Sequence, residues 1–153
     1  MNNHAAALLC ILAGSTLLPA ADAQGPPQPP LKLGRAQSFV RTTIDAASLR
    51  AGLTLLAIPV VKVRNPQLAP VTVSVTALAG RQLRQRVEIG AFSLFPADQA
   101  GTFNLRVPAE AVGASRGVRR LTLEIRLKAA PDDLDVEVGP VRLIAEPVEK
   151  RRD

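Results

Sequence analysis

The chain has 153 residues, with 19 Lys and Arg against 13 Asp and Glu and a formal net charge of +6. It holds one Cys, one His, one Met and four Phe, and neither Trp nor Tyr. That inventory argues against zinc or copper sites, which want His or Cys, against hydrolase triads, which want a base and a nucleophile, and against aromatic stacking platforms.

Residues 5–18 form an apolar run of signal-peptide length, too short to span a bilayer comfortably. Pro19 breaks the run, and Ala21-Asp22-Ala23 offers a small-x-small cleavage site before Gln24. The segment ahead of the run is atypical, with His4 but no Lys or Arg, and Cys10 sits in a poor lipobox. The expectation is cleavage between Ala23 and Gln24 and an exported protein, periplasmic or secreted. The alternative is a retained membrane anchor. Cleavage removes Met1, His4 and Cys10, so no thiol or imidazole would remain. An exported domain without disulfides must be stabilised by packing alone.

Residues 24–35, beginning QGPPQPP, read as a Pro-rich tether. A single β domain is expected over residues 36–145, then a charged, frayed tail over 146–153. Alternation starts in AQSFVRTTI, with Phe39 and Arg41 on one face and Ser38 and Val40 on the other, as in an edge strand. Asp45 can cap a helical turn, or open a loop, over residues 45–51. GLTLLAIPVVKVR is the most apolar stretch, and its Pro59 implies two short strands or one bulged strand. Asn65-Pro66 starts a turn. Val71, Val73 and Val75 then alternate with Thr72, Ser74 and Thr76 until Gly80.

Residues 81–108 are the stretch around which the rest is organised. Val87, Ile89, Ala91 and Phe95 share one face by period two, and Arg84, Arg86 and Glu88 the other. Phe92 and Leu94 break the alternation, which implies burial on both faces or a bulge after Gly90. Pro96 to Gly101 carries turn chemistry, and Phe103, Leu105 and Val107 alternate on the return. This reads as a hairpin, or as two strands meeting at a sandwich edge. The Phe residues are assigned to the core. A connection with a helical turn at PAEAV follows. Next comes the clearest strand, in which Leu121, Leu123, Ile125 and Leu127 oppose Thr122, Glu124, Arg126 and Lys128. Residues 129–133 turn into a partner strand with Leu134, Val136 and Val138. After Gly139-Pro140, Val141, Leu143 and Ala145 resume with the phase shifted by one. The sum is an all-β fold, an antiparallel sandwich of jelly-roll or Ig-like type with about seven or eight strands.

Candidate sites are few. Arg81, Arg84 and Arg86 form a possible patch for phosphate, anionic lipid or an acidic partner, which Arg116, Arg119 and Arg120 could extend. The competing reading is a solvated strand face. Asp132, Asp133, Asp135 and Glu137 would suit calcium by ligand type but lack an Asp-x-Asp-x-Asp-Gly loop. A solvated acidic turn that pairs with Arg126 and Lys128 across a hairpin is expected instead. Ser93, in GAFSLF, is not in a nucleophile elbow. No catalytic residue, metal ligand or cofactor is expected.

The order VKVRNPQLAPVTVSVTAL, VEIGAFSLFP, GTFNLRVP, LTLEIRLKAAP, VEVGPVRL resembles the β-sandwich domain that follows the catalytic domain in tyrosinases and polyphenol oxidases. The likeness covers residues 60–143. It implies a sandwich fold. In that family the domain shields a two-copper site and can insert an aromatic placeholder from a Tyr-rich strand end. Here Ala77 and Leu78 stand at the corresponding place, and the copper-binding His residues belong to a catalytic domain outside the likeness, so no site residue carries over.

The expected function is therefore that of an exported, non-enzymatic accessory or protein-interaction module, partnering a copper oxidase of tyrosinase type or another exported protein. The alternative is a basic surface module that binds anionic lipid or polysaccharide of the cell envelope. Nucleic acid is not an expected partner.

Overall fold

A computed structural model describes residues 29–50 and 54–145 of the chain. The expected signal segment, its Ala23–Gln24 cleavage point and the charged tail lie outside the described residues.

Nine strands and one short helix succeed one another in the described part: β1 (Leu31–Gly34), β2 (Phe39–Asp45), β3 (Thr54–Arg64), β4 (Thr72–Ala79), β5 (Gln85–Ser93), β6 (Gly101–Arg106), α1 (Ala109–Ala114), β7 (Arg120–Leu127), β8 (Asp135–Val138) and β9 (Arg142–Ala145). They form two antiparallel sheets. One runs β1-β8-β3-β6, with β9 also paired to β3, and the other runs β2-β7-β4-β5. Odd and even strands trade sheets in the manner of a jelly roll. Up to β8, only the β4–β5 connection joins neighbours within one sheet.

The sandwich begins at Leu31, inside the stretch expected to be a tether. Leu31 and Leu33 alternate with Lys32, and Leu33 is buried against the core while β1 pairs with β8. Four residues are too few to stand out as a strand from sequence. At the end of β2, the Asp45 side chain accepts a hydrogen bond from the Ala47 amide at 3.0 Å and caps a single 3-10 turn, Ala46–Ser48.

β3 is one strand, bulged where its register with β8 shifts between Val60 and Lys62. Pro59 is tolerated inside it for a geometric reason. Its carbonyl accepts from the Gly139 amide at 2.8 Å, so its missing N–H faces the break between β8 and β9. In an antiparallel ladder a residue directs both backbone groups to the same neighbour.

β5 is bulged as well, with the register against β4 shifting between Gly90 and Glu88 and leaving Ile89 as the extra residue. The expected bulge thus exists, one residue earlier. It explains the broken alternation, because Phe92 and Leu94 now face inward with Val87 and Ile89. β5 and β6 are not a hairpin, since they lie in opposite sheets and meet at the sandwich edge, where the Phe92 and Phe103 rings stack at 4.2 Å. Nor are β7 and β8 a hairpin, because β8 crosses to the other sheet. The core between the sheets is built from Leu56, Ile58 and Val60 on one side and Val73, Val75, Leu121, Leu123 and Ile125 on the other. α1, the helical turn expected at PAEAV, buries Ala111.

Candidate functional site

The outer face of the β2-β7-β4-β5 sheet holds the densest polar cluster among the described residues. Strand alternation puts Glu124 on this face, pointing to solvent, yet its side chain is only 1% exposed. Three arginines cover it. Arg41, directly opposite Glu124 on β2, donates from Nε and Nη2 to Oε2 at 3.2 and 3.0 Å. Arg126, two residues on along β7, donates from Nε and Nη2 to Oε1 at 3.3 and 3.1 Å. Arg86 reaches across β4 and donates from Nη2 to the same oxygen at 2.6 Å. Phe39 completes the cluster, with the Arg126 and Arg41 guanidinium carbons 4.7 and 5.4 Å from its ring centre. Beneath this layer Leu78, on the same outer face as its partner Arg86, is buried. The aliphatic stems of long cations can cover apolar surface in this way.

Burial alone would raise the Glu124 pKa. The hydrogen bonds from Arg86, Arg41 and Arg126 outweigh it and lower the pKa from 4.5 to about 2. The carboxylate is therefore ionised at any physiological pH, and the cluster carries three cations against one anion.

The expected patch of Arg81, Arg84 and Arg86 is divided by this arrangement. Arg86 joins the Glu124 cluster. Arg81 opens the 3-10 turn Arg81–Leu83 between β4 and β5, and Arg84 follows that turn, exposed. Arg120 lies opposite Asp45 at the start of β7, and Arg116 follows α1. Reading the sequence missed Glu124 as a buried group, as well as Arg41 and Phe39. Only the β2–β7 register brings Arg41 beside Glu124, and nothing local to either segment signals it.

The acidic residues do not pair with Arg126 and Lys128, because β8 lies in the other sheet. Arg35 instead binds Asp132, Arg64 lies 4.0 Å from Asp135, and Lys32 and Lys62 each lie 3.9 Å from Glu137. Among the described residues no group of three or more His, Cys, Asp and Glu side chains is placed to hold a metal ion. Ser93 shares a hydrogen bond with Thr72, their hydroxyl oxygens 3.1 Å apart.

A second feature lies at one end of the sandwich. The connection from β5 to β6 carries Phe95, which is 96% exposed rather than in the core. The β3–β4 loop carries Leu68, 61% exposed, with φ at 49°. That left-handed conformation costs an ordinary L-residue about 1–2 kcal/mol. Asn65, itself buried, ties the two loops together. Its Nδ2 donates to the Ala69 and Ala97 carbonyls at 2.8 and 3.1 Å, and its Oδ1 accepts from the Ala69 amide at 3.2 Å. Two large apolar side chains are thus presented to solvent from anchored loops. Ala77 and Leu78, at the place the resemblance assigns to a shielding aromatic, are both buried and do not protrude.

No protein-family model matches the sequence, and no curated protein matches it. Among solved structures, the chain is similar to a recombinantly expressed latent aurone synthase, a polyphenol oxidase, with a TM-score of 0.54 and 15% identity. That match covers 83% of this chain and 28% of that one. A latent aurone synthase from natural source matches with a TM-score of 0.50 and 13% identity, over 74% of this chain and 25% of that one. The chain therefore spans about a quarter of the length of the polyphenol oxidases it matches. At this identity the likeness is one of fold, and the fold of this chain is that of a polyphenol oxidase segment.

Proposed function

We propose that this chain is a non-enzymatic, exported module that works by contact with another protein, and that its partner is an oxidase of polyphenol oxidase type. The observation that carries the reading is Phe95, an almost fully exposed aromatic ring on a loop anchored through Asn65. A soluble domain gains nothing by leaving a Phe in water, whereas aromatic side chains are enriched at contact surfaces. The likeness of fold to a segment of an oxidase supports the choice of partner, and the scarcity of reactive side chains supports a role without chemistry of its own.

The reading is tested by capture with the tagged chain from cell-envelope extract at low and then moderate salt, identified by mass spectrometry. A single salt-resistant partner, a His-rich copper oxidase, is expected with the natural chain and lost with Phe95→Ser. Capture of nothing, or of the same proteins by both forms, overturns it.

A further inference from the structure

The Glu124 cluster holds more cation than its carboxylate needs. Arg41 supplies two N–H groups to one oxygen and Arg126 two to the other. That alone satisfies a buried carboxylate and leaves one positive charge over. Arg86 comes from a third strand, makes the shortest contact of the set at 2.6 Å and raises the excess to two charges. Counted over the whole outer face, Arg120 and Lys128 equal Asp45 and Glu88 in number, so an excess of two positive charges remains. Glu88 is the carboxylate nearest the cluster, two residues along β5 from Arg86 and across Thr76 from Glu124. The three arginine side chains are 44–52% exposed, and Glu124 is the carboxylate that all three contact.

We propose that Arg41, Arg86 and Arg126 form a binding site for a doubly charged tetrahedral oxyanion, phosphate or sulfate, on the outer face of the β2-β7-β4-β5 sheet. Each guanidinium has five donors and commits two, one and two of them, for Arg41, Arg86 and Arg126, to Glu124. The remaining donors belong to side chains already held by a common carboxylate, with Phe39 stacked against two of them. Ordering three long side chains opposes binding when they start free, and here much of that ordering is already done. The two excess charges match a dianion. Approach from three strands suits a tripod of oxygens better than a single planar fork would. The site lies on a sheet face, away from the Phe95 loop end, and does not depend on the partner reading above.

The test is an amide NMR titration of the whole chain with inorganic phosphate, at constant ionic strength balanced by chloride. Saturable shifts around Arg41, Arg86, Glu124 and Arg126 are expected. Arg86→Gln should weaken binding about tenfold, the loss of one charged hydrogen bond. Arg64→Gln, which removes the same charge from the other sheet, should leave it unchanged. Arg86→Lys keeps the charge and loses the guanidinium's further donors, so it should also bind more weakly while its amide spectrum stays that of the folded chain. A vesicle arm separates the sources. Binding to phosphatidic acid in phosphatidylcholine that free phosphate displaces assigns the group to a lipid surface, and phosphate binding without vesicle binding assigns it to a soluble ligand. Shifts that never saturate, or equal weakening by Arg86→Gln and Arg64→Gln, overturn the proposal.

Discussion

Glu124 is the residue on which most depends physically. A carboxylate removed from water is costly unless its oxygens are hydrogen-bonded and its charge is matched, and here five N–H groups from three arginines meet it. Replacing it with Gln keeps the shape, removes the charge that holds three guanidiniums together, and leaves them to repel one another. Glu124→Gln should lower the unfolding free energy by about 2–3 kcal/mol, read from urea denaturation at neutral pH. The cost stays below that of a fully buried pair because the arginines are half exposed. The pH dependence follows from the same group. Its folded pKa, about 2, lies below the unfolded 4.5, so the stability it contributes is present above pH 4.5 and is lost as pH falls toward 2. The loss is at most about 3 kcal/mol by linkage. In Glu124→Gln this component should vanish, so that the two proteins converge in stability as the solution is acidified.

At the scale of elements, the irregularities have local causes that fit one another. Pro59 sits in an interior strand because its missing donor faces the gap between β8 and β9, where Gly139 donates to it instead of receiving. The bulge of β5 at Ile89 turns Phe92 inward, onto Phe103. Asn65 performs the same office for the loops, satisfying three backbone groups of two segments with one buried amide. Asn65→Ala strands those groups. It should cost about 1–3 kcal/mol and raise amide exchange in residues 66–69 and 95–99, while the central strands β3, β4 and β7 keep their protection. Uniform acceleration over the whole chain would mean that Asn65 supports the sandwich and not the loop end.

For the molecule as a whole, stability and contact are expected to separate. The single Cys allows no internal disulfide, so the core between the two sheets must hold the fold. Leu123, wholly buried at the centre of one sheet, should cost about 2–5 kcal/mol when changed to Ala. Phe95→Ser should stay within about 0.5 kcal/mol of the natural chain, because the ring has almost no contacts to lose. Thermal unfolding of the two variants beside the natural chain checks this contrast. A large loss with Phe95→Ser would place that ring in the fold and remove the basis for its role in capture.

Period-two alternation in residues 71–76, 84–89, 103–107 and 119–127 already determined the all-β class, the strand faces and most of the core, because which side of a strand is apolar is a local property. Beyond the bulge at Ile89 the phase flips, so Ala91, expected on the dry face, is exposed opposite Ser74. Composition likewise determined how little reactive chemistry the chain carries. Local pattern does not say which strand lies beside which. Turn residues after β5 and β7 look alike whether the chain folds back within a sheet or crosses to the other. The sequence therefore leaves β5–β6 open between a hairpin and a sandwich edge and points to a hairpin for β7–β8, and both connections cross. The candidate site fell on the far side of that divide. Arg86 was legible as a basic residue on a strand face. Its convergence with Arg41 and Arg126 on a buried Glu124 exists only because β2, β7, β4 and β5 pair in that order and register, joining residues 38 to 85 positions apart in the chain.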